Sequence, residues 1–249
     1  MWNGKTVCVV LPTLNEKDSI RAAIEGFFGT GYVDHVLVVN NNAAPGTSEE
    51  VAKTRAREVF EPIQGYGASM RRGLRDADAD LIIVSEPDGT FAESDVVKLL
   101  AYSNECEAVY STRTVRTMIW EGANMGLFLK WGNWAVAKLA EALFNTEHLS
   151  DVGCTLRLIH RDALRRIEPH FRLTGSAFGL EMMLISIVTR QRMVQIPVNY
   201  MARVGKSSVT GDFWKAFRLG CEMIALILRH RLASLGRKPA LEDRVKATP

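Results

Sequence analysis

Glu86 and Asp88 stand two residues apart in SEPDGTF (85–91), directly after the apolar run LIIV. Carboxylates on the lip of a buried strand offer hard oxygen ligands, which suit a hard cation with a ligand beyond it. The same seven residues can equally make an acidic turn before a helix. Glu181, in AFGLEMML, is an acid among apolar neighbours on a helical stretch, where a carboxylate is costly to bury.

Elements that would position these groups are legible in the hydrophobic pattern. Short continuous apolar runs (TVCVVLP, HVLVV, LIIVS, EAVYS, VQIPV) alternate with longer stretches of helical period, the pattern of strands buried on both faces. Ile20, Ala23, Ile24 and Phe27 repeat at helical spacing between the first two runs, and Gly29 and Gly31 supply a stop. This is a βαβ unit, and the chain reads as α/β with a mainly parallel sheet. Ligands of open α/β sheets collect beyond the carboxyl ends of strands, so LPTLNE, NNNAAPGT, SEPDGTF and the stretch after Tyr110 are the segments to inspect. A loop with Gly205, Lys206, Ser207, Ser208 and Gly211 precedes a long amphipathic stretch, which puts a boundary near residue 211.

Composition narrows the function classes. The chain has 249 residues, 47% apolar and 24% charged, enough for one sizeable core. A formal charge of +3, dispersed along the sequence, argues against nucleic acid as a partner. Cys8, Cys106, Cys154 and Cys221 are far apart and signal neither a zinc site nor a redox dithiol, which fits a reducing cytoplasm. No run of 18 apolar residues occurs, and the first apolar run is shorter than a signal-peptide core, so the chain is expected neither to span a membrane nor to enter the secretory route.

Six segments in order, VVLPTLNE (9–16), VVNNNAAPGT (38–47), GYGASMRRG (65–73), SEPDGTF (85–91), DVGCTLR (151–157) and IPVNYMARVGKSS (196–208), resemble family 2 glycosyltransferases of the GT-A fold, above all the polyprenyl-phosphate (dolichyl-phosphate mannose-type) synthases. The likeness spans residues 5 to about 210. It implies a GT-A domain over 1–211, a C-terminal amphipathic helix and tail over 212–249, and inverting transfer of a sugar from a nucleoside-diphosphate sugar to a polyprenyl phosphate. A hydroxyl of a saccharide or glycolipid is the alternative acceptor. A nucleotidyltransferase would want a glycine-rich, basic first loop, which is missing; a non-catalytic, degenerate member is the remaining class.

The resemblance also assigns residues. Pro12, Thr13, Asn15 and Glu16 fall near base and ribose, although Asn15 and Glu16 also suit a helix cap. Asn40 and Asn41 replace a usual acidic pair, leaving amides to meet the base. Gly65 and Gly67 would let backbone approach the nucleotide, while Arg71, Arg72 and Arg75 read as a solvated face. Glu86 and Asp88 take the acidic positions of the D-x-D-type signature and would bind Mg2+ or Mn2+, Asp88 directly; Thr90 stands where Gln is frequent. Asp151 would contact a sugar hydroxyl or orient Arg157, or form a turn, and Glu181 would be the general base or position a sugar or loop. Arg203 and Lys206 would clamp the diphosphate from a closing loop, or make a basic surface turn. Arg113 and Arg116 are candidates for the acceptor phosphate, or exposed ion-pair partners.

The segment 212–238 sets Trp214, Phe217, Cys221, Ile224, Ala225, Leu228, Leu232 and Leu235 on one stripe, with Lys215, Arg218, Arg229, Arg231, Arg237 and Lys238 elsewhere. Together with the tryptophans of 118–144 this predicts a cytoplasmic protein peripheral on the cytoplasmic face of a membrane. The alternative is that both helices pack on the sheet or form a dimer.

Overall fold

The computed structural model describes residues 1–123, 127–205 and 213–235, without the side chains of 127–129, 213, 215 and 216. Among them are seven strands: β1 (Val7–Thr13), β2 (His35–Asn40), β3 (Arg57–Phe60), β4 (Leu81–Val84), β5 (Ala108–Thr112), β6 (Arg157–His160) and β7 (Met193–Pro197). They form one sheet in the order β3-β2-β1-β4-β6-β5-β7. The five apolar runs are all strands, and β3 and β6 were not foreseen. β3 is a four-residue edge strand with two exposed ends, too short and too polar to announce itself.

Only β6 runs against the others, pairing antiparallel with β4 and β5. The exits of β1, β2, β4, β5 and β7 therefore share one edge of the sheet with the entry of β6. Val84, the last residue of β4, pairs with Arg157, the first of β6, so 151–156 arrive where SEPDGTF departs. Pro12 is accommodated inside β1 because its missing N–H would face the β4 side, beyond the last pair Val10↔Val84.

Alternation along the strands builds a core on each face. Val7, Val9 and Leu11 pack with Ile20, Ile24 and Phe27 of α1 (Lys17–Gly29) and with Leu99 and Leu100 of α4 (Val96–Tyr102). Cys8 and Val10 face Met70 and Leu74 of α3 (Tyr66–Asp76), beneath α5 (Leu127–Phe144), α6 (Arg161–Ile167) and α7 (Phe178–Val188). The remaining helices are α2 (Thr47–Ala52) and α8 (Phe213–Leu235).

α8 is not a free appendage: Met223 and Ile227 belong to the same core cluster as α5 and α7 residues. Residues 119–123, placed with a helical stretch by sequence, are instead extended or turn, with Ile119 bridged to Tyr200. Among the described residues no helix is long and apolar enough to cross a membrane.

Candidate active site

Asp88 is buried just past β4. Its Oδ1 accepts from the Thr90 amide at 2.9 Å and the Thr90 hydroxyl at 2.6 Å, so Thr90 orients Asp88 instead of offering a free third ligand. Its Oδ2 meets the guanidinium of Arg203. Arg203 Nη2 also donates to Glu86 Oε2 at 2.9 Å, and Glu86 Oε1 accepts from the Thr155 hydroxyl at 2.7 Å. Tyr66 completes the chain, its hydroxyl 2.9 Å from that of Thr155. Burial pushes the Glu86 carboxyl up to about 7, and the charge of Asp88 adds to the rise.

The 199–204 segment reaches this point by pairing with the acidic turn: Met201 N donates to Thr90 O at 2.9 Å and Val204 N to Asp88 O at 2.8 Å. It thereby delivers Arg203. Lys206 lies outside the described residues.

A second charged pair sits at the exit of β5. Arg113 donates to Asp151 three times, Nε to Oδ2 at 2.8 Å, Nη2 to Oδ1 at 3.0 Å and its amide to Oδ2 at 3.1 Å; Gly153 N adds a fourth bond at 2.9 Å. Burial alone would raise the Asp151 pKa, but the charge and hydrogen bonds of Arg113 hold it below the usual carboxylate range. Asp151 therefore orients Arg113 and not Arg157. Arg157 is buried and donates to the carbonyls of Thr155 at 3.1 Å, Gly179 at 2.7 Å and Cys154. The Tyr200 ring lies 5.3 Å from Arg113 Cζ; burial raises its phenol pKa, and the charges of Glu86 and Asp88 add to the rise. DVGCT thus serves both ends: Asp151 holds Arg113 and Thr155 holds Glu86. Arg116 is exposed in a short turn at 116–118 and does not join them.

Several residues assigned to the nucleotide are committed elsewhere. Asn41 Nδ2 donates to the carbonyls of Glu61 and Ile63, both at 2.8 Å, and its Oδ1 accepts from Gly65 N at 2.8 Å and Gln64 Nε2 at 3.2 Å. Asn40 bonds Ser48, Glu58 and the amide of Ala43. Asn41 is thereby filled on both atoms, and Asn40 has both amide hydrogens committed and one acceptor position of Oδ1 left. Glu16 does not cap α1 with its side chain. Its Oε2 accepts from Leu14 N at 2.7 Å, Asn15 N at 2.9 Å and the Thr13 hydroxyl at 3.3 Å, fixing the turn that leaves β1. Asn15 is exposed beside it, while Pro12 and Thr13 are buried at the strand end.

Gly65 and Gly67 make room for protein. A Cβ on Gly65, whose φ is +150°, would come within 2.3 Å of Thr174 O; one on Gly67 would lie 2.7 Å from Phe178 Cβ and 2.9 Å from Gly175 O. The close neighbour is the 174–178 segment, bonded through Ala68 N to Thr174 O at 3.0 Å. Gly67→Ala is expected to cost about 1–3 kcal/mol by overpacking, read as a lowered urea midpoint; an unchanged midpoint would show that the segment yields. Glu181 anchors the same segment, accepting from Arg172 N on both oxygens at 3.1 Å and from Leu173 N at 3.0 Å. Holding a loop, one of the roles allowed by its sequence, is the contact it makes.

The site therefore has a buried carboxylate, Asp88, and a half-buried one, Glu86, both paired with Arg203, and a second cation, Arg113, held by its own carboxylate, Asp151. Tyr66, Thr155 and Tyr200 went unnamed among the candidate residues, although each is inside a quoted motif.

Known proteins resemble this chain in sequence and in fold. Uncharacterized glycosyltransferases of Mycobacterium tuberculosis and Mycobacterium bovis are 29% identical over 229 residues, covering 85% of this chain and 98% of theirs. Human dolichyl-phosphate beta-glucosyltransferase is 20% identical over 268 residues, covering 92% of this chain and 78% of its own. Among solved structures, the glucosyl-3-phosphoglycerate synthase of Mycobacterium tuberculosis in complex with Mn2+, uridine diphosphate and phosphoglyceric acid superposes with a TM-score of 0.70 at 17% identity, over 95% of this chain and 81% of that one. That likeness is one of fold, and the fold is GT-A. Residues 8–168 match the family model described as glycosyl transferase family 2. A mixed, mainly parallel sheet with two carboxylates past β4, matched by that family over more than half its length, makes this chain a member of glycosyl transferase family 2.

Proposed function

We propose that the chain is an inverting transferase that moves a sugar from a nucleoside-diphosphate sugar to an acceptor bound near Arg113, with Mg2+ or Mn2+ at Asp88 and Glu86. The observation that carries this is the buried Asp88 carboxylate, whose Oδ2 meets the same Arg203 guanidinium that pairs with Glu86, so that two carboxylates share one cation. A buried charged oxygen needs a cation. Two carboxylates suit a hard divalent ion that takes its remaining ligands from diphosphate oxygens and water. When bound, that ion stabilises the charge gathering on the leaving diphosphate. Arg203, within reach of both carboxylates, and Lys206, three residues on, supply further positive charge to the same group. Thr13 and Glu16 border the ribose side.

Two acceptor classes fit. A hydroxyl of a saccharide or glycolipid has the better support from the relatives, since the mycobacterial synthase was crystallised with phosphoglyceric acid, a small hydroxyl acid. Polyprenyl phosphate, suggested by the name of the human relative, is favoured by the state of Glu181. A hydroxyl must lose a proton, and Glu181 can take it only if the 172–173 amides release it, whereas a phosphate is already an anion.

Glu181→Gln separates the classes. With a hydroxyl acceptor, turnover is expected to fall at least about a hundredfold and to lose one limb of its pH–rate profile. With polyprenyl phosphate, turnover stays within about tenfold and the profile keeps its shape. A uridine diphosphate titration with and without Mn2+, followed by thermal shift, checks the donor side. No shift with this or any other nucleoside diphosphate would overturn the reading.

A further inference from the structure

α8 carries two separate apolar faces. Leu219, Met223, Leu226 and Ile227 turn inward, Met223 and Ile227 being 7% and 0% exposed. On the adjoining side at 100° per residue, Ile224, Leu228, Leu232 and Leu235 form a stripe in water, 40%, 46%, 70% and 63% exposed. Trp214 and Phe217 extend the stripe toward the start of the helix, their rings edge to face at 6.3 Å. A run of this length is more than the scattered surface apolars of an ordinary domain.

Charge decides what covers it. The exposed Arg229 and Arg218, the latter paired with Glu222 at 3.1 Å, follow the outer edge of the stripe, and residues 213–235 contain Lys215, Arg218, Arg229 and Arg231 against that one acid. A second copy seated on this face would set like charges together, which opposes association. The residues that follow, 236–249, offer only Leu241 and Val245 as large aliphatic side chains. Cations bordering an exposed aliphatic stripe complement an apolar layer beneath anionic headgroups.

We propose that this face of α8 docks on the surface of an anionic lipid bilayer, the helix lying in the headgroup plane with its aliphatic stripe entering the acyl boundary. The surface connects to the site through α5, which packs on α8. Trp131 and Trp134 are exposed on α5, and between them Asn133 reaches the acceptor end: a Cβ on Gly153 would meet Asn133 Oδ1 and Arg113 Nη2, each at 3.0 Å. Lipid-borne acceptors would thus be presented along α5 toward Arg113. Docking itself does not depend on which acceptor is used.

The test is co-sedimentation of the full chain with phosphatidylcholine vesicles, with and without phosphatidylglycerol, against the variant Ile224→Gln/Leu228→Gln/Leu232→Gln. Glutamine keeps the helix propensity, and an unchanged melting temperature and uridine diphosphate shift show that fold and donor site survive. The intact chain is expected to partition at least about tenfold more onto anionic than onto neutral vesicles, and to be released at 1 M salt, where the Debye length is about 3 Å. The variant stays in the supernatant. Docking is overturned if the intact chain remains in the supernatant at low salt, if it pellets equally with neutral vesicles, or if the variant pellets as well. It is also overturned if the intact chain sediments as a dimer that the variant splits. A chain that docks but shows no nucleotide shift would sink the proposed activity and leave the docking standing.

Discussion

Replacing Asp88 with asparagine is expected to lower turnover by at least about a hundredfold while the fold survives. The substitution keeps size and shape, and an amide oxygen can still accept from Thr90 N and Oγ1. What disappears is the negative charge of Oδ2, the buried atom that meets the Arg203 guanidinium. Arg203 retains Glu86 at 2.9 Å, so the 199–204 segment keeps one anchor and its backbone bonds to Thr90 and Asp88. Steady-state rates with a nucleoside-diphosphate sugar and Mn2+ read the first effect, and thermal unfolding reads the second. The Mn2+-dependent part of the nucleotide shift should vanish as well, by linkage. Activity within about threefold of wild type would remove Asp88 from the metal site.

Asp151→Asn has the largest expected effect on stability. Asp151 is fully buried, and its carboxylate is the charge that answers Arg113 across two side-chain bonds. Removing one partner of a buried pair leaves the other charge uncompensated, at about 3–5 kcal/mol. The folded-state pKa of Asp151 is depressed, so its contribution is fully present above the unfolded carboxyl value of about 3.9 and is lost as pH falls through the lower, folded value. Urea unfolding between acid and neutral pH should show that dependence in the wild type, with its Asp151 part missing from the variant. The double replacement Arg113→Met/Asp151→Leu should recover part of the loss, because no buried charge remains unpaired. A single variant as stable as wild type would show that water reaches the pair.

Some of this protein is written locally. Five strands are continuous apolar runs because both faces of the sheet are covered, and α1 is read from Ile20, Ala23, Ile24 and Phe27 because one face of a helix must find the core. SEPDGTF is recognisable because a buried strand followed by two acids is a local pattern. β3 and β6 escape because neither is a continuous apolar run: β3 is Arg-Glu-Val-Phe with exposed ends, and β6, Arg-Leu-Ile-His, is recruited by pairing with strands on either side.

Partners across long sequence separations were decided only by the tertiary structure. Spacing puts Asp151 near Arg157, yet the reversed direction of β6 brings 151–155 back across the ends of β4 and β5, where Arg113 is closer. Asn40 and Asn41 look like free amides at a strand end, but buried loop backbone must be satisfied and their side chains satisfy it. Gly65 and Gly67 announce a close approach without naming what approaches; the packing of α3 against the start of α7 makes it the 174–178 segment. In α8 the apolar residues alone predict an amphipathic helix. Which of them turn inward is fixed by where α5 and α7 stand, so Met223 and Ile227 enter the core while Ile224, Leu228, Leu232 and Leu235 stay in water. Composition and period are properties of neighbouring residues, whereas burial and pairing depend on what the rest of the chain brings to the other side.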